Sequence, residues 1–171
     1  MDSESPAMAK SRPTRITNRI DSNLFTPMPR EEVFGFFAQP ENLSILTPDW
    51  LKFRIVTPPP IEMKPGAVID YRISMRGIPM TWRTVITVWE PPFRFVDEQA
   101  KGPYRYWRHE HTFKERDGGT ILGDHVEYAT PFGWLSDFLF VRRNIRTIFK
   151  HREKVMRERF DATEVVAGTV G

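Results

Sequence analysis

Cysteine is absent from this 171-residue chain, which excludes disulfides, thiolate metal sites and thiol catalysis. No apolar run approaches the roughly 20 residues that a bilayer-spanning helix needs. The opening MDSESPAMAKSRPTR has no apolar core of the kind a secretory signal carries. A cytoplasmic location is therefore expected. A phosphate-cradling glycine loop, a dinucleotide fingerprint and a nucleophile elbow are also missing. What the chain has instead is aromatic bulk: 13 Phe, 5 Trp and 4 Tyr, in a composition 40% hydrophobic and 27% charged. That profile belongs to a soluble globular domain with large side chains on an internal surface or in its core.

Charge is unevenly spread. The net charge is +3, yet residues 141–160 hold eight Lys or Arg against two Glu, leaving the remainder negative. A basic helix face attracts anionic partners. This one lacks the interleaved exposed aromatics of a single-stranded nucleic-acid groove, so no nucleic acid is expected and the charges read as a solvated face. Peripheral membrane contact is compatible with the same face, and so is a surface interaction with another protein. Oligomeric state is not legible.

Residues 1–14 and 161–171 show no periodicity and are expected to be disordered ends flanking one domain, 15–160. RITNRIDSNLF alternates as a strand. A short helix follows where acids lead into Val33, Phe34, Phe36 and Phe37, and PENLSILT opens a second with Pro at its first position. From Trp50 on, WLKFRIVTP, AVIDYRISM, IPMTWRTVITVWE, FRFVDEQA, YRYWRHEHTFKE and GTILGDHVEYAT are rich in β-branched and aromatic residues. Tight breaks (RG, PP, KGP, DGG) predict antiparallel hairpins. Apolar positions from Trp134 through Phe138, Val141, Ile145, Ile148, Val155 and Met156 then predict one long amphipathic helix.

This order, with the words LTPDWLKFRIVTPPPIEMKPGAVIDYR, WRTVITVWEPPFRFVDEQAKGPY, WRHEHTF, GGT and DHVEYATPFG, resembles the START-like or SRPBCC superfamily, and within it the polyketide cyclase/dehydrase and lipid-transport-like branch. The resemblance runs from about Arg15 to Phe160. It implies an α+β helix-grip fold, in which a curved seven-stranded antiparallel sheet wraps a long C-terminal helix, with two short helices after the first strand. It also implies a cavity between sheet and helix for a hydrophobic or aromatic small molecule or a lipid. Cyclase or dehydratase activity on a polyketide-like substrate is the enzymatic alternative.

Strand parity sorts the polar residues. In RYWRHEHTF, Trp107, His109, His111 and Phe113 share one face. That face points inward, because Arg108 and Glu110 on the other are seldom buried unpaired. The two histidine Cβ atoms are then roughly 7 Å apart by strand rise. In the next strand Leu122, Asp124, Val126 and Tyr128 form the apolar face, with Asp124 its polar exception. A two-residue Asp117-Gly118 turn sets His111 opposite Asp124, His109 opposite Val126 and Phe113 opposite Leu122. A Gly-Gly turn would instead set His109 opposite Tyr128.

A His111–Asp124 pair admits three readings: mutual satisfaction within the sheet, contact with a ligand, or acid–base catalysis with these two as the candidate catalytic residues. Asp97 is a further ligand-contact candidate, although the KGP turn leaves its facing undecided. Tyr71, Trp82, Trp107 and Tyr128 are candidate cavity liners, and Arg83 is expected to point outward. His-x-His is a usable ligand spacing with Asp124 as a third ligand. No further histidine faces inward, so no metal and no cofactor are expected.

Overall fold

The computed structural model describes residues 18–75, 77–130 and 141–165. Among the described residues eight strands form one sheet: β1 Asn18–Thr26, β2 Arg54–Ile55, β3 Val68–Met75, β4 Ile78–Glu90, β5 Arg94–Lys101, β6 Tyr106–Arg116, β7 Gly119–Ala129 and β8 Thr163–Glu164. Helix α1 spans Arg30–Phe37 and helix α2 spans Arg142–Phe160. Two 3-10 turns, Pro40–Ser44 and Asp49–Leu51, lie between α1 and β2. The strand order β2-β3-β4-β5-β6-β7-β1-β8 is a meander closed by the first strand against the seventh, and every pairing is antiparallel. This is the α+β helix-grip arrangement.

The Asp-Gly turn governs the site's register. Asp117 at φ 50° and Gly118 at φ 77° both lie in the left-handed region, the geometry a two-residue hairpin loop needs to match strand twist. The pairs Arg116 with Gly119, Phe113 with Leu122, His111 with Asp124 and His109 with Val126 follow. On β4, Arg83 turns outward and holds Asp70 across the strand pair with two 2.8 Å hydrogen bonds.

Two elements differ from the sequence reading. The strand expected over WLKFRIVTP shrinks to Arg54–Ile55. Lys52 there takes a left-handed φ of 48°, and the prolines that follow lack the N–H a ladder needs. The tail from 161 is expected to be disordered, whereas its described part, 161–165, packs on the sheet. Ala162 is buried, Thr163 and Glu164 pair with β1 as an eighth strand, and the Thr26 hydroxyl donates to the Phe160 carbonyl. The long helix is described from Arg142. Its expected start at Trp134, with the segment PFGWLSDFLF, falls largely in residues 131–140, outside the described residues.

Helix α2, about 28 Å long by its rise per residue, buries a stripe of Ile145, Phe149, Arg152, Met156 and Phe160. Arg142, Arg143, Arg146, Lys150 and Lys154 are exposed. The stripe bridges two apolar clusters. Met156 and Phe160 pack with Phe34, Phe36, Phe37, Phe95, Phe113 and Leu122, and Ile145 and Phe149 pack with Trp82, Tyr104, Val126 and Tyr128. Arg152 sits between them, and so does the polar part of the sheet beneath it.

Candidate functional site

The two inward histidines of β6 do not stand apart as alternate residues on a strand would. Their rings lean together to a centroid separation of 3.8 Å, because one carboxylate engages both. Asp124 Oδ1 on β7 is 2.9 Å from His109 Nε2 and 2.9 Å from His111 Nδ1. On the other side, β5 contributes Asp97, placed opposite His109 by the strand register. Its Oδ2 lies 3.0 Å from His111 Nε2 and 3.7 Å from His109 Nδ1. Arg152 closes the group from α2, with Nε and Nη2 donating to Asp124 at 2.7 and 3.2 Å. Phe95 stacks on His111 at 4.1 Å and Phe37 lies under the Arg152 guanidinium.

Burial makes these contacts matter, since the side chains of His109, His111, Asp124 and Arg152 are each less than a tenth exposed. Burial pushes the Asp124 carboxyl up, but the Arg152 guanidinium and hydrogen bonds from both histidines hold it well below its usual value. Asp97 is lowered too: burial opposes its charge, and the His111 hydrogen bond with nearby positive charge outweighs burial. Burial and the charge of His111 bring His109 down to about 4, against the pull of Asp124 and Asp97. His111 moves the other way. Hydrogen bonds to Asp124 and Asp97 overcome burial and raise it.

Geometry agrees with that division. Both His111 nitrogens meet carboxylate oxygens, which only the imidazolium can satisfy by donating twice. Arg152 Nη2 approaches Nδ1 at 3.2 Å, but the carboxylate is nearer and the guanidinium can only donate. Two aspartates, one arginine and one imidazolium then sum to zero, leaving His109 neutral. A buried group of this kind is tolerated because its charges are paired and hydrogen-bonded.

The group forms part of the wall of a cavity of about 170 Å³ between sheet and α2. Asp97, His109, His111 and Arg152 supply its ionisable patch, and Gln39, Asn42, Thr47 and Thr84 are further polar lining residues. Phe37, Phe53, Tyr71, Trp82, Trp107 and Phe149 supply much of its aromatic wall. Tyr71 donates to or accepts from Thr84 at 3.1 Å. Burial and the Asp97 charge raise its phenol well above the usual value, so it stays neutral.

Of the candidate ligand contacts, Tyr71, Trp82, Asp97, Trp107, His109 and His111 line the cavity together, while Asp124 and Tyr128 do not. Asp124 lies behind the histidines as their shared acceptor. Tyr128 is buried, packing its ring against Tyr104 and Trp107. Arg152 is not among the candidates from sequence, although its spacing carries a signal. It falls four residues after Ile148 and four before Met156, a charge set in the apolar stripe, where an unpaired arginine would be too costly.

A sequence model described as polyketide cyclase/dehydrase and lipid transport matches residues 26–157. No curated protein matches the chain in sequence. Solved structures share the fold at low identity. Protein CV1439 from Chromobacterium violaceum has a TM-score of 0.66 at 13% identity, over 85% of this chain and 99% of that one. Protein Ms6760 from Mycobacterium smegmatis has a TM-score of 0.61 at 16% identity, over 84% and 96%. The di-domain ARO/CYC StfQ from the steffimycin biosynthetic pathway has a TM-score of 0.61 at 13% identity, over 84% of this chain and 50% of that one.

Proposed function

The chain belongs to the polyketide cyclase/dehydrase and lipid transport family, and we propose that this member binds a small aromatic or apolar molecule bearing one polar oxygen. The observation that carries the reading is a largely apolar cavity, rich in aromatic side chains, with a charged hydrogen-bonding cluster in its wall. Affinity would come from burying the ligand on Phe, Tyr and Trp faces, and orientation from the few polar groups. At about 170 Å³ the space is close to the roughly 150 Å³ apolar cavity that takes up benzene. That size favours an occupant of one or two rings over a long-chain lipid or a four-ring polyketide.

Turnover of a bound polyketide-like substrate is a second reading, and one observation favours it. His109 stays neutral, its Nδ1 has only the 3.7 Å approach to Asp97, and Asp124 fixes its other nitrogen. On this reading His109 would be the acid–base group, in place of the candidates His111 and Asp124.

Native mass spectrometry of the purified full chain tests the reading. A co-purifying molecule of one or two rings, lost when Ile148 on the helix wall of the cavity becomes Trp, supports it. Repeatedly empty protein that also takes up no added 2-naphthol counts against it.

A further inference from the structure

The pairing of both histidines with one carboxylate has a consequence for their opposite edges. Asp124 takes His109 by Nε2 and His111 by Nδ1, so His109 Nδ1 and His111 Nε2 are left facing Asp97 on the cavity side. A carboxylate behind a ring nitrogen is how ligating histidines are held in a fixed tautomer and orientation. Here one carboxylate does this for two rings and is itself balanced by Arg152.

We propose that Asp97, His109 and His111 form a binding site for a first-row divalent transition metal, with Asp124 and Arg152 as its supporting layer. The three ligand atoms already lie within 4.8 Å of one another. Tetrahedral coordination at the usual metal–nitrogen and metal–oxygen lengths sets ligand atoms roughly 3.3 Å apart. The separations from Asp97 Oδ2 are 3.0 and 3.7 Å, on either side of that value. Binding replaces one proton: the N–H that His111 donates to Asp97 is released to solvent, and the metal takes its place on Nε2. Two imidazoles and one carboxylate suit zinc, iron or cobalt, whereas magnesium and calcium prefer all-oxygen sites. With three protein ligands, at least one coordination position opens on the cavity, where a ligand oxygen could be polarised.

The expectation of no metal from sequence rested on counting inward histidines while the facing of Asp97 was undecided. Register sets Asp97 opposite His109, so the third ligand is Asp97 and not Asp124, which lies behind both rings. The proposal does not depend on the cavity's taking an aromatic molecule.

Cobalt titration of the EDTA-treated full chain, followed by visible absorption, tests it. The result expected is one Co²⁺ per chain, with d–d bands of low-coordinate N/O ligation, displaced by Zn²⁺ and unaffected by millimolar Mg²⁺. Asp97→Asn and His109→Gln should each weaken binding at least about tenfold. Asp124→Asn should weaken it about 10- to 100-fold, as loss of an orienting carboxylate does. His125→Asn, on the other face of β7 and bonded to Asp21, should leave it unchanged. Circular dichroism shows whether each variant is folded. If Asp97→Asn does not fold, His109→Gln carries the test. No one-to-one complex, or one that survives both substitutions, overturns the proposal. Calorimetry with 2-naphthol in EDTA keeps the two readings separable, because a metal failure with ligand binding intact leaves the cavity reading standing.

Discussion

Replacing Arg152 with Met should be among the costliest single changes in the protein. The guanidinium makes two hydrogen bonds to Asp124, at 2.7 and 3.2 Å, and both side chains are only 6% exposed. Breaking a buried ion pair from one side costs about 3–5 kcal/mol, because the surviving charge is stranded. Asp124 keeps both histidine contacts, which places this case near about 3 kcal/mol. For a chain of this length each kcal/mol moves the midpoint by about 2–4 °C, so a drop on the order of 10 °C is expected. Urea unfolding followed by tryptophan fluorescence measures the free energy directly. Adding Asp124→Asn should cost much less in the Arg152→Met background than alone, with a coupling of about 2 kcal/mol. A loss below about 1 kcal/mol for Arg152→Met, or additive effects of the two changes, would refute the claim that this pair anchors the polar wall.

Three further outcomes follow from the same geometry. In EDTA, His109 at about 4 in the fold against 6.5 when unfolded makes the protein less stable as pH falls from 6.5 to 4, by about 3 kcal/mol in full. His111, raised in the fold, works in a different window: its contribution is complete below 6.5 and is lost as pH rises through its folded value. Urea unfolding between pH 4 and 8 should show the acid-side loss in the native sequence and not in His109→Asn. Asp117→Val forces a β-branched residue into φ 50° and should cost about 1–2 kcal/mol, while Asp117→Gly should cost little, as thermal unfolding of the two variants will show. Ile148→Trp on the cavity wall should reduce calorimetric affinity for 2-naphthol at least tenfold, at a stability cost of about 1–3 kcal/mol.

Much of the sheet was legible because strand parity and one turn carry unambiguous physical signals. The Asp117-Gly118 loop set the β6–β7 register, and with it His111 against Asp124. Alternation put Trp82 inward and Arg83 outward. The β5–β6 register was not readable, because a KGP turn fits more than one pairing, and Asp97 could therefore not be placed. Arg152 was hidden by its company: seven other basic residues on the same stretch made it look like one more solvated charge, though its spacing set it on the buried stripe. Cross-strand register sets only His111 against Asp124, yet both rings reach it, because ring lean and protonation depend on three-dimensional contacts with Asp97, Asp124 and Arg152. The order of 161–165 depends on pairing with β1, a contact without local signal.

Isothermal titration of the purified chain with a size series, phenol, 2-naphthol, a four-ring aromatic and a long-chain fatty acid, measures what the cavity accepts. One-to-one binding should peak at one or two rings, with a negative heat-capacity change from apolar burial and loss of binding in Ile148→Trp. Tightest binding by the four-ring compound or the fatty acid, or no binding by any of the four, would contradict the proposed function.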